Sequence, residues 1–172
     1  MLHNYIVEPK SRNNLREYAL QIRKNLGLEN KLYFPVIEFL EVMPELFPEF
    51  YYEVVEDREL SSNVHADTDV LNHCMRIKNS VYEGAYSRNG RDRMTIAHEM
   101  GHYFTLCVSG FKLQRNFGNQ KLRAFEDPEW QAKCFAGELL IPAHLVVDMD
   151  VYSISVECCV SVDAARTQMK ST

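Results

Sequence analysis

Hydrophobic residues recur every three or four positions near the start of the chain, between Ser11 and Leu26. This spacing places them on one face of a helix and leaves polar residues on the other. Gly27 follows directly, and glycine is common just past the end of a helix. The pattern therefore predicts a first amphipathic helix over Ser11 to Leu26, whose apolar face contains Leu15, Tyr18 or Ala19, Ile22 and Leu26.

The next stretch contains a second predicted helix and two predicted strands. The run VIEFLEVMPELF follows Pro35, a residue suited to the first turn of a helix, and Pro44 is expected to end or kink that helix. Aromatic and β-branched residues dominate the following run EFYYEVVE, which is typical of a strand. A short strand is also predicted at Cys74 to Lys78, and the polar segment from His65 to His73 before it is predicted to be a loop.

A long, mainly apolar segment occupies the centre of the chain. Asn89 and Gly90 form a turn signal, and no proline follows until well past Val108, so a helix is predicted from about Arg91 to about Leu106. Apolar residues cover most of its surface, which predicts that this helix is buried. Its main apolar stripe consists of Ala97, Met100, Gly101, Phe104 and Val108, and the stripe is widened by Ile96, Tyr103 and Leu106.

Three titratable residues lie within this apolar helix. His98 and His102 are one turn apart on the same face, so that a single metal ion can bridge their rings. Glu99 projects about 100° round the helix from His98, too far to be an equal ligand but near enough to reach a water bound to the same ion. The HExxH pattern therefore predicts a zinc site with His98 and His102 as ligands and Glu99 as the general base of a hydrolytic reaction.

A further helix is predicted downstream of the central helix, in the run EDPEWQAKCFAGELLIP. Asp127 is its expected N-cap, Pro128 its first residue, and Pro142 lies just past its end. Its apolar stripe can pack against the central helix. That stripe consists of Ala132, Phe135, Ala136, Leu139 and Leu140.

A catalytic zinc site typically has three protein ligands, so a third ligand is expected outside the central helix. Glu129 lies in the first turn of this downstream helix, which begins at Pro128, and is predicted to point toward the ion. Glu126 precedes that helix and Glu138 lies nearly three turns further along, so both are weaker candidates on position.

Composition sets the broad class of protein. With 172 residues and 46% hydrophobic content, we expect a single domain, and a net charge of -5 argues against a direct nucleic-acid partner. The N-terminus lacks the features of a signal peptide and no apolar run is long enough to span a bilayer, so we expect a cytoplasmic protein without a membrane partner. Five cysteines without CxxC spacing indicate reduced thiols.

Two motifs carry a resemblance to a known family. The run RMTIAHEMGH, from Arg93 to His102, is similar to the signature Arg-Phe-Thr-x-Ala-His-Glu-x-Gly-His of the ImmA/IrrE metallopeptidases. The run EWQAKCFAGELLIP, from Glu129 to Pro142, is similar to a second motif of that family. By position, the resemblance places the family's zinc ligands at His98, His102 and Glu129 and its catalytic glutamate at Glu99.

The resemblance also implies a fold and a function. The fold is a minimal zincin-like α+β domain, with helices packed on a small twisted β-sheet, and its parts are residues 1–48 (N-terminal helices), 49–90 (sheet region), 91–142 (zinc-site helices) and 143–172 (C-terminal segment). The function is a zinc-dependent endopeptidase that makes limited cuts in a helix-turn-helix repressor of a phage or mobile element. The oligomeric state stays open.

Several other residues have a functional and a structural interpretation. His65 and His73 are candidate donors to an oxyanion, although histidines in loops are more often surface residues. The basic segment from Lys112 to Arg123 is a candidate contact for an acidic substrate or an ordinary solvated surface. His144 near the cleft and Cys134 as a thiolate ligand are less favoured than structural roles for both residues.

Two alternatives to a peptidase remain. In the first, the chain is a non-catalytic binding module, in which the metal only holds two helices together and the domain sequesters a regulator. In the second, the central helix is structural and binds no metal, which predicts protein purified without stoichiometric zinc.

Overall fold

The computed structural model describes residues 5–108, 114–115 and 123–171, with only the backbone described at Tyr5–Ile6 and Gln114–Arg115. The fold is α+β, as predicted from the sequence. The helices are α1 (Arg12–Asn25), α2 (Val36–Leu46), α3 (Asn79–Tyr86), α4 (Gly90–His102), α5 (Pro128–Leu140), α6 (Val151–Glu157) and α7 (Val162–Met169). The strands are β1 (Tyr5–Ile6), β2 (Tyr51–Val55), β3 (Ala66–Asp69), β4 (Cys74–Lys78) and β5 (Gln114–Arg115).

The larger sheet has the strand order β2-β4-β3, in which β2 is parallel to β4 and β3 is antiparallel to it. Its registers pair Tyr51 with Cys74 and Ala66 with Ile77. Strands β1 and β5 form a separate antiparallel pair. Strand β3 is therefore at an edge of the three-stranded sheet, a position that matters for the site described below.

The helices enclose a core in which α5 packs against both α1 and α4. Phe104, just after α4, lies at the centre of an aromatic cluster with Tyr18, Phe39, Phe47 and Phe135. The apolar stripe predicted for α5 is fully buried, because its five members are 0% exposed. Burial of these side chains fixes α4 and α5 against each other.

A buried arginine holds the start of α4 in place. Arg93 is 1% exposed, and its guanidinium donates hydrogen bonds to the carbonyls of Phe34 and Cys159 and to the hydroxyl of Tyr33. A charged group in the interior is tolerated only when such partners satisfy it. Arg93 thereby ties α4 to the segment before α2 and to the connection between α6 and α7.

Several local predictions are confirmed. Gly27 has a φ of 67°, the left-handed conformation expected just past the end of α1. The strand at Cys74–Lys78 has the predicted bounds, and α2 ends two residues after Pro44. The five cysteines are free thiols. Among the described residues, no helix has both the length and the apolar character needed to cross a membrane.

The prediction of a loop from His65 to His73 is wrong for its first half. Ala66–Asp69 forms β3, which pairs with β4, and Asp67 forms an ion pair with the facing Arg76 (Asp67 Oδ2 to Arg76 Nη2, 2.6 Å). The remaining residues form a turn in which the Asp69 carboxylate accepts hydrogen bonds from the amides of Leu71 and Asn72. Backbone pairing with β4 outweighed the polar composition of the segment.

The central helix also departs from its predicted course. The α-helix ends at His102, and the chain continues as a π-helical turn from Tyr103 to Val108. A π-helix has more residues per turn, so side chains beyond His102 rotate away from the α-helical stripe. Val108 was predicted to be part of that stripe but is 43% exposed.

Candidate metal centre

Helix α4 presents its two histidines side by side. The ring centroids of His98 and His102 are 4.8 Å apart, and the ring planes are perpendicular. The side chain of His98 is a quarter exposed, whereas that of His102 is almost fully buried. Their spacing of four residues on one helical face produces this arrangement.

Helix α5 brings Glu129 to the same place. The Asp127 side chain caps the helix by accepting a hydrogen bond from the Glu129 amide (2.9 Å), and Pro128 occupies the first helical position, both as predicted. Glu129 Oε2 lies 3.2 Å from His98 Nε2, and Glu129 Oε1 lies 3.5 Å from His102 Nε2. The structure thus brings together the three residues that the sequence predicted as ligands.

Close contact between the two helices makes this convergence possible. A Cβ atom at Gly101 would lie 2.7 Å from the carbonyl oxygen of Ala132 and 2.8 Å from its Cα. Both are backbone atoms that cannot rotate away. Glycine at position 101 therefore allows α4 and α5 to approach closely enough for Glu129 to reach the histidines.

The separations from Glu129 to the two imidazole nitrogens are close to those between neighbouring ligands of one metal ion. Zinc–ligand bonds of about 2.0–2.1 Å at tetrahedral angles place neighbouring donor atoms about 3.3 Å apart. Glu129 lies at 3.2 and 3.5 Å from the two imidazole nitrogens, and donor atoms from all three residues lie within 4.8 Å of one another. In the part of the chain that the structure describes, this is the one such group of metal-binding side chains.

The donor set is one that catalytic metal sites use. Two imidazoles and one carboxylate are the ligands of several catalytic zinc sites, and such sites keep a fourth position open. His102 Nδ1 is buried and has no hydrogen-bond partner among the described residues. The orientation of this ring consequently depends on the packing around it and on its neighbours at Nε2.

Glu99 is a buried carboxylate in the same cleft as His102 and Glu129. It is 8% exposed, and burial raises the pKa of its carboxyl, whereas the nearby His102 and His98 and the Thr68 hydroxyl oppose that rise. The Thr68 hydroxyl donates a hydrogen bond to Glu99 Oε2 (2.8 Å). Glu129 behaves differently, because hydrogen bonds from His102 and His98 lower its pKa strongly.

Glu99, His102 and Glu129 line a cleft of about 330 Å³. One wall is formed by residues 63–68, which include most of edge strand β3. The opposite wall is formed by the helices, with Thr95, Glu99, His102 and Glu129 facing the cleft. The cleft thus combines a buried carboxylate with metal-binding side chains, which is an arrangement suited to hydrolysis.

The competing carboxylates lie elsewhere. Glu138 is fully buried and forms ion pairs with Arg12 (3.0 Å) and Arg16 (2.9 Å). The Glu126 carboxylate accepts a hydrogen bond from the Arg123 amide in the turn before α5. Neither belongs to the group of metal-binding side chains.

The other candidates separate into one residue at the cleft and three away from it. His65 lines the cleft with Glu99. His73 lies with Nε2 3.7 Å from a carboxylate oxygen of Glu49, and the His144 ring is hydrogen-bonded to the Glu29 carbonyl (2.8 Å). Cys134 is buried, and burial raises the pKa of its thiol to about 11.

The basic segment from Lys112 to Arg123 lies outside the described residues, apart from the backbone of Gln114–Arg115 and from Arg123.

Thr68 is the residue at the site that sequence reasoning missed. Ala66, Thr68 and Val70 alternate with Asp67 and Asp69, and this period of two is the signal of a strand. The alternation would have placed Thr68 on the same face as Ala66.

No family model, curated protein or solved structure matches this chain.

Proposed function

We propose that the chain is a zinc-dependent endopeptidase that makes limited cuts in a regulatory protein. The proposed substrate is a helix-turn-helix repressor of a phage or mobile element, a class suggested by the resemblance of the Arg93–His102 and Glu129–Pro142 motifs to the ImmA/IrrE metallopeptidases. The net charge of -5 favours a protein substrate over direct nucleic-acid binding.

One observation carries the proposal. His98, His102 and Glu129 converge closely enough to hold one metal ion, and the buried carboxylate of Glu99 faces the same cleft. A purely structural zinc site is normally closed by four protein ligands. Three ligands beside an open cleft and a buried acid favour catalysis over a metal that only joins two helices.

The roles of the residues follow from their positions. A zinc ion held by His98, His102 and Glu129 would supply Lewis acidity that activates water and polarises the scissile carbonyl. Glu99 accepts the proton of the attacking water and delivers it to the amine that leaves. Its burial suits the first of these tasks, because a raised pKa makes the carboxylate a better proton acceptor.

Edge strand β3 offers a place for the substrate backbone. The Lys78 amide donates to the His65 carbonyl, so that residues 65, 67 and 69 face β4. The main-chain groups of Ala66 and Thr68 point the other way, where no other described strand pairs with β3. An extended peptide can add to such an edge as a further strand. His65 lines the same cleft and is the candidate donor to the oxyanion.

Glu99→Gln tests the function. The full chain is co-expressed with helix-turn-helix repressors encoded beside its gene, and cleavage is followed by mass spectrometry of the fragments. We expect a discrete fragment with the wild type and a loss of at least about 100-fold in its rate of formation with Glu99→Gln, because the general base is removed. The zinc content of the variant should stay at that of the wild type.

An exposed glutamate provides the control. Glu45→Gln changes the charge by the same amount on the surface of α2 and should cleave as the wild type does. If wild type and Glu99→Gln regulate the repressor equally without any fragment, the chain is a non-catalytic binding module. If purified wild-type protein binds no zinc, the central helix is structural.

A further inference from the structure

The Thr68 side chain, on strand β3 in the wall of the cleft, contacts the candidate base Glu99. Its Oγ1 atom lies 2.8 Å from Glu99 Oε2 and 3.2 Å from the Glu99 carbonyl oxygen. An ionised carboxylate is only an acceptor, so the hydroxyl is the donor in the shorter contact. A bond of this length to a charged acceptor is stronger than one between neutral groups.

We propose that Thr68 is a positioning residue for Glu99, an inference that rests on the proposed function. A terminal carboxyl group rotates over a broad range about its last bond. The Thr68 hydroxyl holds Oε2 and thereby fixes that rotation, which leaves Oε1 free to accept the proton of the attacking water. Thr68 itself does not exchange a proton with the substrate.

The location of Thr68 gives this contact a second consequence. Thr68 belongs to edge strand β3, and its main-chain groups point toward the edge where an extended peptide would lie. The same residue therefore borders the substrate and orients the base. Both substrate binding and the orientation of Glu99 depend on the position of β3, so a shift of this strand would change both.

A second threonine at the cleft serves as a matched control. Thr95 also lines the cleft, but its hydroxyl donates to the Arg91 carbonyl (3.2 Å) in its own helix. Thr95→Val removes a hydroxyl from the cleft without removing a contact to Glu99. Thr68→Val removes that contact with little change of shape, and Thr68→Ser keeps the hydroxyl.

The experiment measures kcat, KM and zinc affinity for the four full-length proteins, with the repressor that the Glu99→Gln test identifies. We expect kcat to fall about 10- to 100-fold in Thr68→Val and to recover to within about threefold in Thr68→Ser. KM and the zinc dissociation constant should change by less than about twofold, because neither substrate contacts nor ligands are removed. Thr95→Val measures what the loss of a cleft hydroxyl costs without a contact to Glu99, and the loss of kcat in Thr68→Val should be at least about fivefold larger than that in Thr95→Val.

A structural readout accompanies the kinetics. Crystal structures of the wild type and of Thr68→Val should show one carboxylate orientation for Glu99 in the first and a rotated or divided one in the second. The role of Thr68 would be overturned if kcat were unchanged in Thr68→Val, if only KM or zinc affinity changed, or if kcat fell equally in Thr68→Ser. Cleavage by the wild type would uphold the proposed function in each of these cases. Wild-type protein that cleaves nothing would reject both.

Discussion

Helix α5 holds two buried or partly buried glutamates in contrasting surroundings, Glu129 in its first turn and Glu138 in its last. Glu129 is a quarter exposed and faces the imidazoles of His98 and His102. Glu138 is 1% exposed in its side chain and contacts the guanidinium groups of Arg12 and Arg16 on α1. One helix thus carries the same side chain into two different electrostatic environments.

The partners determine what each carboxylate can do. Arginine is always protonated, so Glu138 already has permanent cations and needs none from solution. Imidazole nitrogens and carboxylate oxygens are common metal ligands, so Glu129 and the two histidines together are suited to share an added cation. The comparison separates a glutamate that stabilises the fold from one that we propose as a metal ligand.

The largest expected effect is on stability at the Glu138 end. Glu138→Gln should lower the free energy of unfolding by about 3 kcal/mol, because it leaves two arginines around a buried site without their counter-charge. Glu129→Gln should change that free energy by less than about 1 kcal/mol, since the carboxylate is partly exposed. Urea unfolding with a chelator present measures both, and Glu45→Gln is the surface control. Equal losses from the two α5 variants would contradict the division.

The next effect is on metal affinity, where Glu129→Gln is expected to lose more than Glu138→Gln. Glu129→Gln should weaken zinc binding about 100-fold, or about 2.7 kcal/mol, because it removes an anionic ligand. Glu138→Gln should bind zinc within about threefold of the wild type. Competition with a chromophoric chelator gives the dissociation constants. Unchanged affinity in Glu129→Gln would show that this carboxylate is not a ligand.

The smallest effect is on a thiol beside Glu138. Burial raises the pKa of Cys134 to about 11, and the charge of Glu138 contributes to that rise. At pH 8 only about 0.1% of such a thiol is ionised, so alkylation by iodoacetamide should be slow. Glu138→Gln removes the negative charge and leaves the two arginines, so the pKa should fall and alkylation of Cys134 should become several-fold faster.

Cys158 is the internal control for this measurement. It is also buried, with a pKa raised to about 11, but Arg23 and Arg93 are the cations near it. Peptide mass spectrometry resolves the two sites. A parallel increase at Cys158 would indicate general loosening of the fold in place of a local change at Glu138.

Local chemistry made several features predictable from the sequence. Asp127 and Pro128 define the start of α5, since a capping carboxylate and a proline at the first position both act within one turn. Gly27 ends α1 for a similar reason, because glycine readily adopts a positive φ. Such signals depend on neighbours in the chain and need no knowledge of the tertiary structure.

Other features depended on distant partners. The segment containing Asp67 and Thr68 has polar residues typical of a loop, and it becomes a strand because β4 offers backbone hydrogen bonds. Glu138 was a candidate ligand by residue type, yet its partners Arg12 and Arg16 lie 126 and 122 positions away in the chain. No local pattern indicates pairings at such separations.

By itself, the sequence determined the residue types and their helical spacing: two histidines one turn apart, a glutamate between them, and Glu129 in the first turn of a capped helix. The tertiary structure alone decided that Glu129 reaches both histidines, that Gly101 lets the backbones of α4 and α5 approach, and that Thr68 contacts Glu99. Helical periodicity is a property of a few neighbouring residues, whereas the relative placement of two helices and a strand depends on how their distant apolar faces bury one another.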